Sequence, residues 1–256
     1  MTDQPIFPDL KNRSVFITGG GSGIGAALTE GFLRQGAKVA FCQRSDGTAF
    51  ADRMEAATGA RPLFLPCDLT DVPALQATIA EAAARQGPIT VLVNNAADDQ
   101  RHKTLEVDQA YWDWSMAINF RSYFFAAQAV IPGMKAAGGG SIINFTSISY
   151  MMGQDGYPAY MSANSGLNGL TRGLAREFWP DRIRVNALAP GWILTEKQKE
   201  KWVTPEGLAA HMARQCLKEP LEPGDIVGGC LFLASNLSRA MTGQALVIDG
   251  GVVTTG

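Results

Sequence analysis

Ser14-Val15-Phe16-Ile17-Thr18-Gly19-Gly20-Gly21-Ser22-Gly23-Ile24-Gly25 is the stretch that decides the fold. An apolar, β-branched run breaks into closely spaced glycines, and an alanine-rich helical pattern follows at once. Glycines let a backbone turn tightly and approach a pyrophosphate, and the N-terminus of the following helix favours its negative charge. The spacing assigns Gly19, Ser22, Gly23, Ile24 and Gly25 to a dinucleotide.

Working outward, further short apolar runs alternate with longer helical patterns. Strands are expected at Lys38–Cys42, Pro62–Pro66, Ile89–Val93, Ser141–Phe145, Arg184–Leu188 and Ala245–Ile248, with Ser14–Thr18 the first of seven. Most are continuous rather than alternating, as parallel strands covered on both faces require. Asp71 to Gln86 reads as a helix opened by Asp-Val-Pro, and Ala136–Gly140 as a turn. The fold class that follows is α/β: a single-domain Rossmann-type doubly wound seven-stranded parallel sheet, helices on both faces, over residues 1–256.

Composition narrows the function. Twenty-two basic residues face 24 acidic ones, for a net charge of −2, which supplies no field for a nucleic-acid backbone. Apolar runs fall far short of a membrane span, and Met1–Pro5 lacks the pattern of a signal peptide, so a cytoplasmic location is expected. Cys42, Cys67, Cys216 and Cys230 are scattered, and His102 and His211 are the only histidines. No metal site is expected from them.

Strand two ends where NAD enzymes place an acid on the adenosine ribose, but this sequence has Gln43, Arg44 and Ser45. Without the acid a 2′-phosphate is not repelled, and an arginine fork grips it, so NADP is preferred over NAD. The alternative is that Arg44 is a solvated surface residue and Asp46 takes the acidic role, leaving NAD possible.

These motifs resemble the short-chain dehydrogenase/reductase family along nearly the whole chain. Thr18-Gly-x-x-x-Gly-Ile-Gly25 resembles that family's cofactor signature, and Asn94-Asn95-Ala96-Ala97 its Asn-Asn-Ala-Gly motif, with Ala97 for the usual glycine. The resemblance implies cofactor contacts from Asp68, Leu69, Asn95, Ala96, Pro190, Gly191, Ile193 and Thr195. It implies catalytic roles for Tyr160, for Ser147 thirteen residues before it, and for Asn119, which would organise a water chain. Where the family has Tyr-x-x-x-Lys, this chain reads Tyr160-Met161-Ser162-Ala163-Asn164. The lysine holds the nicotinamide ribose and lowers the tyrosine pKa; Asn164 keeps the hydrogen bond but brings no charge.

Asp99–Lys103, Ala110–Asp113, Trp202–Gly207 and Gln215–Lys218 look like stretches of the family's bacterial aldose 1-dehydrogenases, which oxidise an anomeric hydroxyl to a lactone. That hydroxyl is more acidic than an ordinary alcohol, so a weaker base suffices and Asn164 becomes tolerable. Substrate contacts are expected from Ser147, Tyr160, Gln154, Trp192, Asp98 and His102, with Asp99 beside them. Residues 192–218, charged and aromatic, read as a mobile substrate lid. Two other readings remain: a ketone or carbonyl reductase of the same family, and a catalytically silent NADP-binding protein. The closing Thr242–Gly251 stretch resembles members that form homotetramers.

Overall fold

The computed structural model describes residues 5–254; the reading of Met1–Gln4 as free of a targeting signal lies outside them. Seven parallel strands lie in the order β3-β2-β1-β4-β5-β6-β7. They are β1 (Ser14–Thr18), β2 (Lys38–Gln43), β3 (Leu63–Pro66), β4 (Val91–Asn94), β5 (Gly140–Phe145), β6 (Ile183–Pro190) and β7 (Ala245–Ile248). All seven expected strands are present; β1 and β7 keep the expected ends and the other five shift by one or two residues. β4 starts two residues late and runs on to Asn94, which pairs with Asn144 of β5 and donates to its Oδ1 at 3.0 Å. β6 runs to Pro190, where the missing N–H is harmless because the ladder passes to Gly191, which donates to Ile248.

Strand alternation sorts the core into two layers. On one face Val15, Ile17, Val39, Phe41, Val91 and Val93 pack with α1 (Gly23–Arg34) and, at the far end of the chain, α10 (Pro223–Ala234). On the other, Phe16, Ala40, Cys42, Leu92 and Ile142 meet α3 (Val72–Gln86) and α5 (Ser122–Ala136). Every residue of β1 is buried, which explains its unbroken apolar run. Asp71 caps α3 by accepting the Ala74 N–H at 3.0 Å, so the helix begins one residue after the expected start.

The chain order reverses between β1 and β4, and a cleft opens outside the carboxyl ends of the strands at that point. Helix α2 (Thr48–Thr58) follows β2, and α4 (Gln109–Met116), whose Trp114 lines the cleft, runs through a π-turn at Ala117–Arg121 into α5. Next come α6 (Ser149–Met152) and α7 (Pro158–Phe178). Within residues 192–218 the chain forms two short helices, α8 (Glu196–Lys201) and α9 (Pro205–Arg214). No helix of the described residues is long and apolar enough to cross a membrane.

Candidate active site

The cleft has a volume of about 690 Å³ and runs from the glycine turn to α9. At one end stand Gly19, Ser22, Ile24 and Gly25. Gly19 and Gly23 take φ of +68° and +52°, and a Cβ on Gly25 would sit 1.9 Å from the Gly19 carbonyl oxygen. Only glycine permits that approach. Ser22 is the N-cap of α1, yet its hydroxyl caps nothing and the first turn holds no acid. The helix end therefore presents free N–H groups to the cleft, which suits a pyrophosphate. Asn95 fixes this turn by donating to the Thr18 and Gly19 carbonyls at 3.0 and 3.3 Å, while Thr18 Oγ1 accepts the N–H groups of Asn95 and Ala96.

At the edge of this end, the Gln43 carboxamide lies over Gly21 and donates to Ser45. Arg44 is exposed and lines the cleft. Asp46, the rival acid for the ribose, instead accepts the Thr48 N–H and hydroxyl at the start of α2, and those bonds hold its pKa low. Asp68 is held low by the Thr70 N–H and, to a smaller extent, by Thr70's hydroxyl and nearby Arg44. Leu69 beside it is buried.

Deeper in the cleft, Ser147 and Tyr160 share the lining with Pro190, Gly191, Ile193 and Thr195. Ser147 stands just past β5, and its Oγ accepts the Ser149 N–H at 3.1 Å. Tyr160 lies in the first turn of α7, entered through Pro158. Burial pushes its phenol well above the ordinary tyrosine value, and the Asp99 carboxylate pushes the same way; Asn164 and Ser147 oppose the rise. Thr195 caps α8 by accepting the Gln198 N–H, and its methyl rests against Gly23.

Asn164 is 3% exposed and lies beneath the cleft wall, where Nδ2 donates to the Tyr160 carbonyl at 2.9 Å. Asn119 sits in the π-turn. Its Oδ1 accepts the Asp98 N–H at 2.8 Å, and its Nδ2 donates to the Asp98 carbonyl at 3.0 Å and to Ser115 at 3.3 Å. The carboxamide that was expected to organise water is committed to holding the loop after β4.

The expected substrate contacts divide. Gln154, Trp192 and Asp98 line the cleft, Gln154 accepting the Tyr157 hydroxyl at 2.9 Å. His102 does not line it. Its Nε2 accepts the Ala159 N–H, its Nδ1 meets Tyr111 and the Gln100 carbonyl, and its backbone N–H donates to Gly156. It is a strut between the loop after β4 and the entry to α7, a task set by tertiary packing and invisible in sequence.

Other site residues escaped the sequence reading. Gln198 accepts the Trp192 indole N–H at 2.9 Å and donates to Asp99 at 2.7 Å, while Lys197 pairs with Asp99 at 3.2 Å. These contacts pin α8 across the mouth of the cleft. Arg101, Tyr157, Trp202 and His211 complete the wall. The only local signal was the dense charge and aromatic content of the two segments.

A family model described as enoyl-(acyl carrier protein) reductase matches residues 19–253. A probable galactose dehydrogenase of Rhizobium meliloti is 50% identical over 248 residues, covering 96% of this chain and 97% of its own. The D-xylose 1-dehydrogenase of Caulobacter vibrioides is 47% identical, with 96% and 98% covered. A crystal structure of a candidate NAD(P)-dependent gluconate 5-dehydrogenase from Beutenbergia cavernae, with NADP bound at low occupancy, superposes with a TM-score of 0.90. It is 33% identical and covers 95% of this chain and 98% of its own. The chain belongs to the short-chain dehydrogenase/reductase family. It is an NAD(P)-dependent oxidoreductase.

Proposed function

We propose that this enzyme oxidises the anomeric hydroxyl of an aldose to the lactone, with NADP as the preferred hydride acceptor. The observation that carries the reading is that Ser147 and Tyr160 line one cleft with the glycine turn and the open N-terminus of α1. The similarity to galactose and xylose dehydrogenases over nearly the whole chain supports the substrate class.

Gly19, Ser22, Gly23, Ile24 and Gly25 hold the pyrophosphate, Asp68 and Leu69 border the adenine, and Asn95 and Ala96 back the nicotinamide ribose. Pro190, Gly191, Ile193 and Thr195 flank the nicotinamide. Arg44, with Gln43 and Ser45 beside it, takes the 2′-phosphate; the engagement of Asp46 with Thr48 supports this over an acid-bound 2′-hydroxyl. A dinucleotide held by these residues would supply the hydride acceptor and, in its oxidised form, a positive charge. Tyr160 takes the proton of the anomeric hydroxyl, and Ser147 hydrogen-bonds the same oxygen. Asn164 holds the first turn of α7 through the Tyr160 carbonyl. Asn119 is a positioning residue that sets the loop carrying Asp98 and Asp99.

Gln154, Trp192 and Asp98 face the sugar, and residues 192–218 act as its lid. The reading includes a cytoplasmic homotetramer, for which exposed Trp112 and Phe124 on α4 and α5 offer apolar surface. A panel of aldoses and ketones assayed with NAD and NADP in parallel tests the proposal. NADP-dependent lactone formation from aldoses is the expected result; turnover of ketones alone, or of nothing, refutes it.

A further inference from the structure

Four side chains on the wall of the cleft carry a buried polar atom that no described residue bonds: Arg101 (Nη1), Ser149 (Oγ), Trp202 (Nε1) and His211 (Nε2). Folded interiors leave few such atoms, and four of the six among the described residues line this cleft, which marks it as a place where ligand oxygens belong. Arg101 is the most telling. Its guanidinium carbon stands 3.7 Å from the Tyr157 ring centroid and 5.5 Å from that of Trp202. The Tyr157 ring in turn lies 5.5 Å from the Tyr160 ring, so the guanidinium is one aromatic ring away from the phenol.

Arg101 forms no ion pair among the described residues, although two aspartates stand nearby on its own loop; Lys197 takes both, at 3.6 and 3.2 Å. His211 is 6% exposed and lies edge-on to Trp192 at 5.3 Å. Burial and Arg214 hold its pKa below the usual imidazole value, so near pH 7 it is neutral. A guanidinium, an indole N–H and a neutral imidazole between aromatic planes suit a polyhydroxylated ring. Apart from Arg44 at the cofactor end, three cations (Arg101, Lys197, Arg214) face three aspartates (Asp98, Asp99, Asp155) around the cleft, which argues against a charged substrate.

We infer that Arg101, Trp202 and His211 form the subsite for the sugar hydroxyls remote from C1, with Arg101 as its specificity-determining donor. The inference rests on the aldose reading above and names which end of the sugar each side reaches. Tyr160 and Ser147 hold C1; the Arg101 wall holds the opposite end. The hydroxyls satisfy donors that the closed cleft leaves unbonded, and a donor left without its partner costs roughly ten- to a hundredfold in specificity.

The test pairs enzyme variants with deoxy sugars. Arg101→Met, with Arg101→Lys as the conservative companion, is assayed against an aldose and its monodeoxy analogues, and NADPH fluorescence titration verifies an intact cofactor end. The expected result is a roughly ten- to a hundredfold fall in kcat/KM for the parent aldose. The wild type loses as much on one deoxy analogue, and on that analogue variant and wild type agree to within about threefold, the sign of a direct contact. Trp202→Phe couples in the same way to a neighbouring position. An equal loss across all analogues, or no loss on the parent, overturns the subsite. So does a wild-type preference for a uronic acid that Arg101→Met abolishes. A wild type that oxidises no aldose overturns the aldose reading itself; aldose turnover with uncoupled profiles overturns only the subsite.

Discussion

The two ends of the cleft are built on different principles. At the glycine turn, function is a property of backbone: two left-handed glycines, an uncapped helix N-terminus and Asn95 holding the turn from below. All but Asn95 lie within one stretch of eight residues. At the other end, function is a property of side chains that arrive from three separated segments: the loop after β4, the stretch from Ser147 to Tyr160, and α8–α9. Gln198 bridging Trp192 and Asp99 joins two of these, and His102 beneath Ala159 joins another two. A nucleotide can be held by geometry that glycine alone provides, whereas a particular sugar must be read by placed donors and acceptors.

The difference can be broken from either side. Tyr160→Phe removes the proposed base and should lower kcat by roughly 10²–10⁴-fold while NADPH titration stays unchanged. Retained turnover removes Tyr160 from the chemistry. Gly25→Ala drives a Cβ into the Gly19 carbonyl oxygen. Overpacking of this kind costs about 1–3 kcal/mol, so NADPH affinity should fall about ten- to a hundredfold, for every sugar alike. Arg44→Gln should act within the cofactor end only, narrowing the ratio of NADP to NAD specificity by about tenfold or more. An unchanged ratio returns Arg44 to the solvent. Asp99→Asn should be the mildest: the Gln198 bond survives, KM for the sugar rises a few-fold as Lys197 keeps only Asp98, and the rising limb of the rate profile moves to lower pH. The sign follows because a carboxylate beside the phenol raises its pKa.

Legibility in the sequence follows the same divide. Strand runs, the Asp71 cap and the glycine turn are local, and the order of elements carried the sheet topology with strand ends off by at most two residues. Tyr160, Ser147 and Gly191 were legible because their spacing resembles a family pattern. The roles of His102, Asp99 and Gln198 were not. Ala159 lies 57 positions from His102, and Lys197 and Gln198 lie 98 and 99 positions from Asp99, and no periodicity encodes such contacts. Asn119 was found, but its hydrogen bonds to Asp98 were set by a π-turn that sequence does not announce.

Asn164 bears most directly on the chemistry, since it stands one helical turn from the phenol, buried beneath the cleft wall. With no ammonium there, burial and Asp99 leave the Tyr160 phenol protonated at neutral pH in the free enzyme. A base works only in its deprotonated fraction, so oxidation should climb as pH rises toward the phenol's elevated pKa. The decisive measurement is the pH dependence of aldose kcat/KM for wild type and Asn164→Lys side by side. A nearby cation favours the phenolate, and the rising limb of the variant's profile should lie about 1–3 pH units lower. Superimposed limbs would contradict the account, because they would mean that the phenol's charge state does not govern the rate.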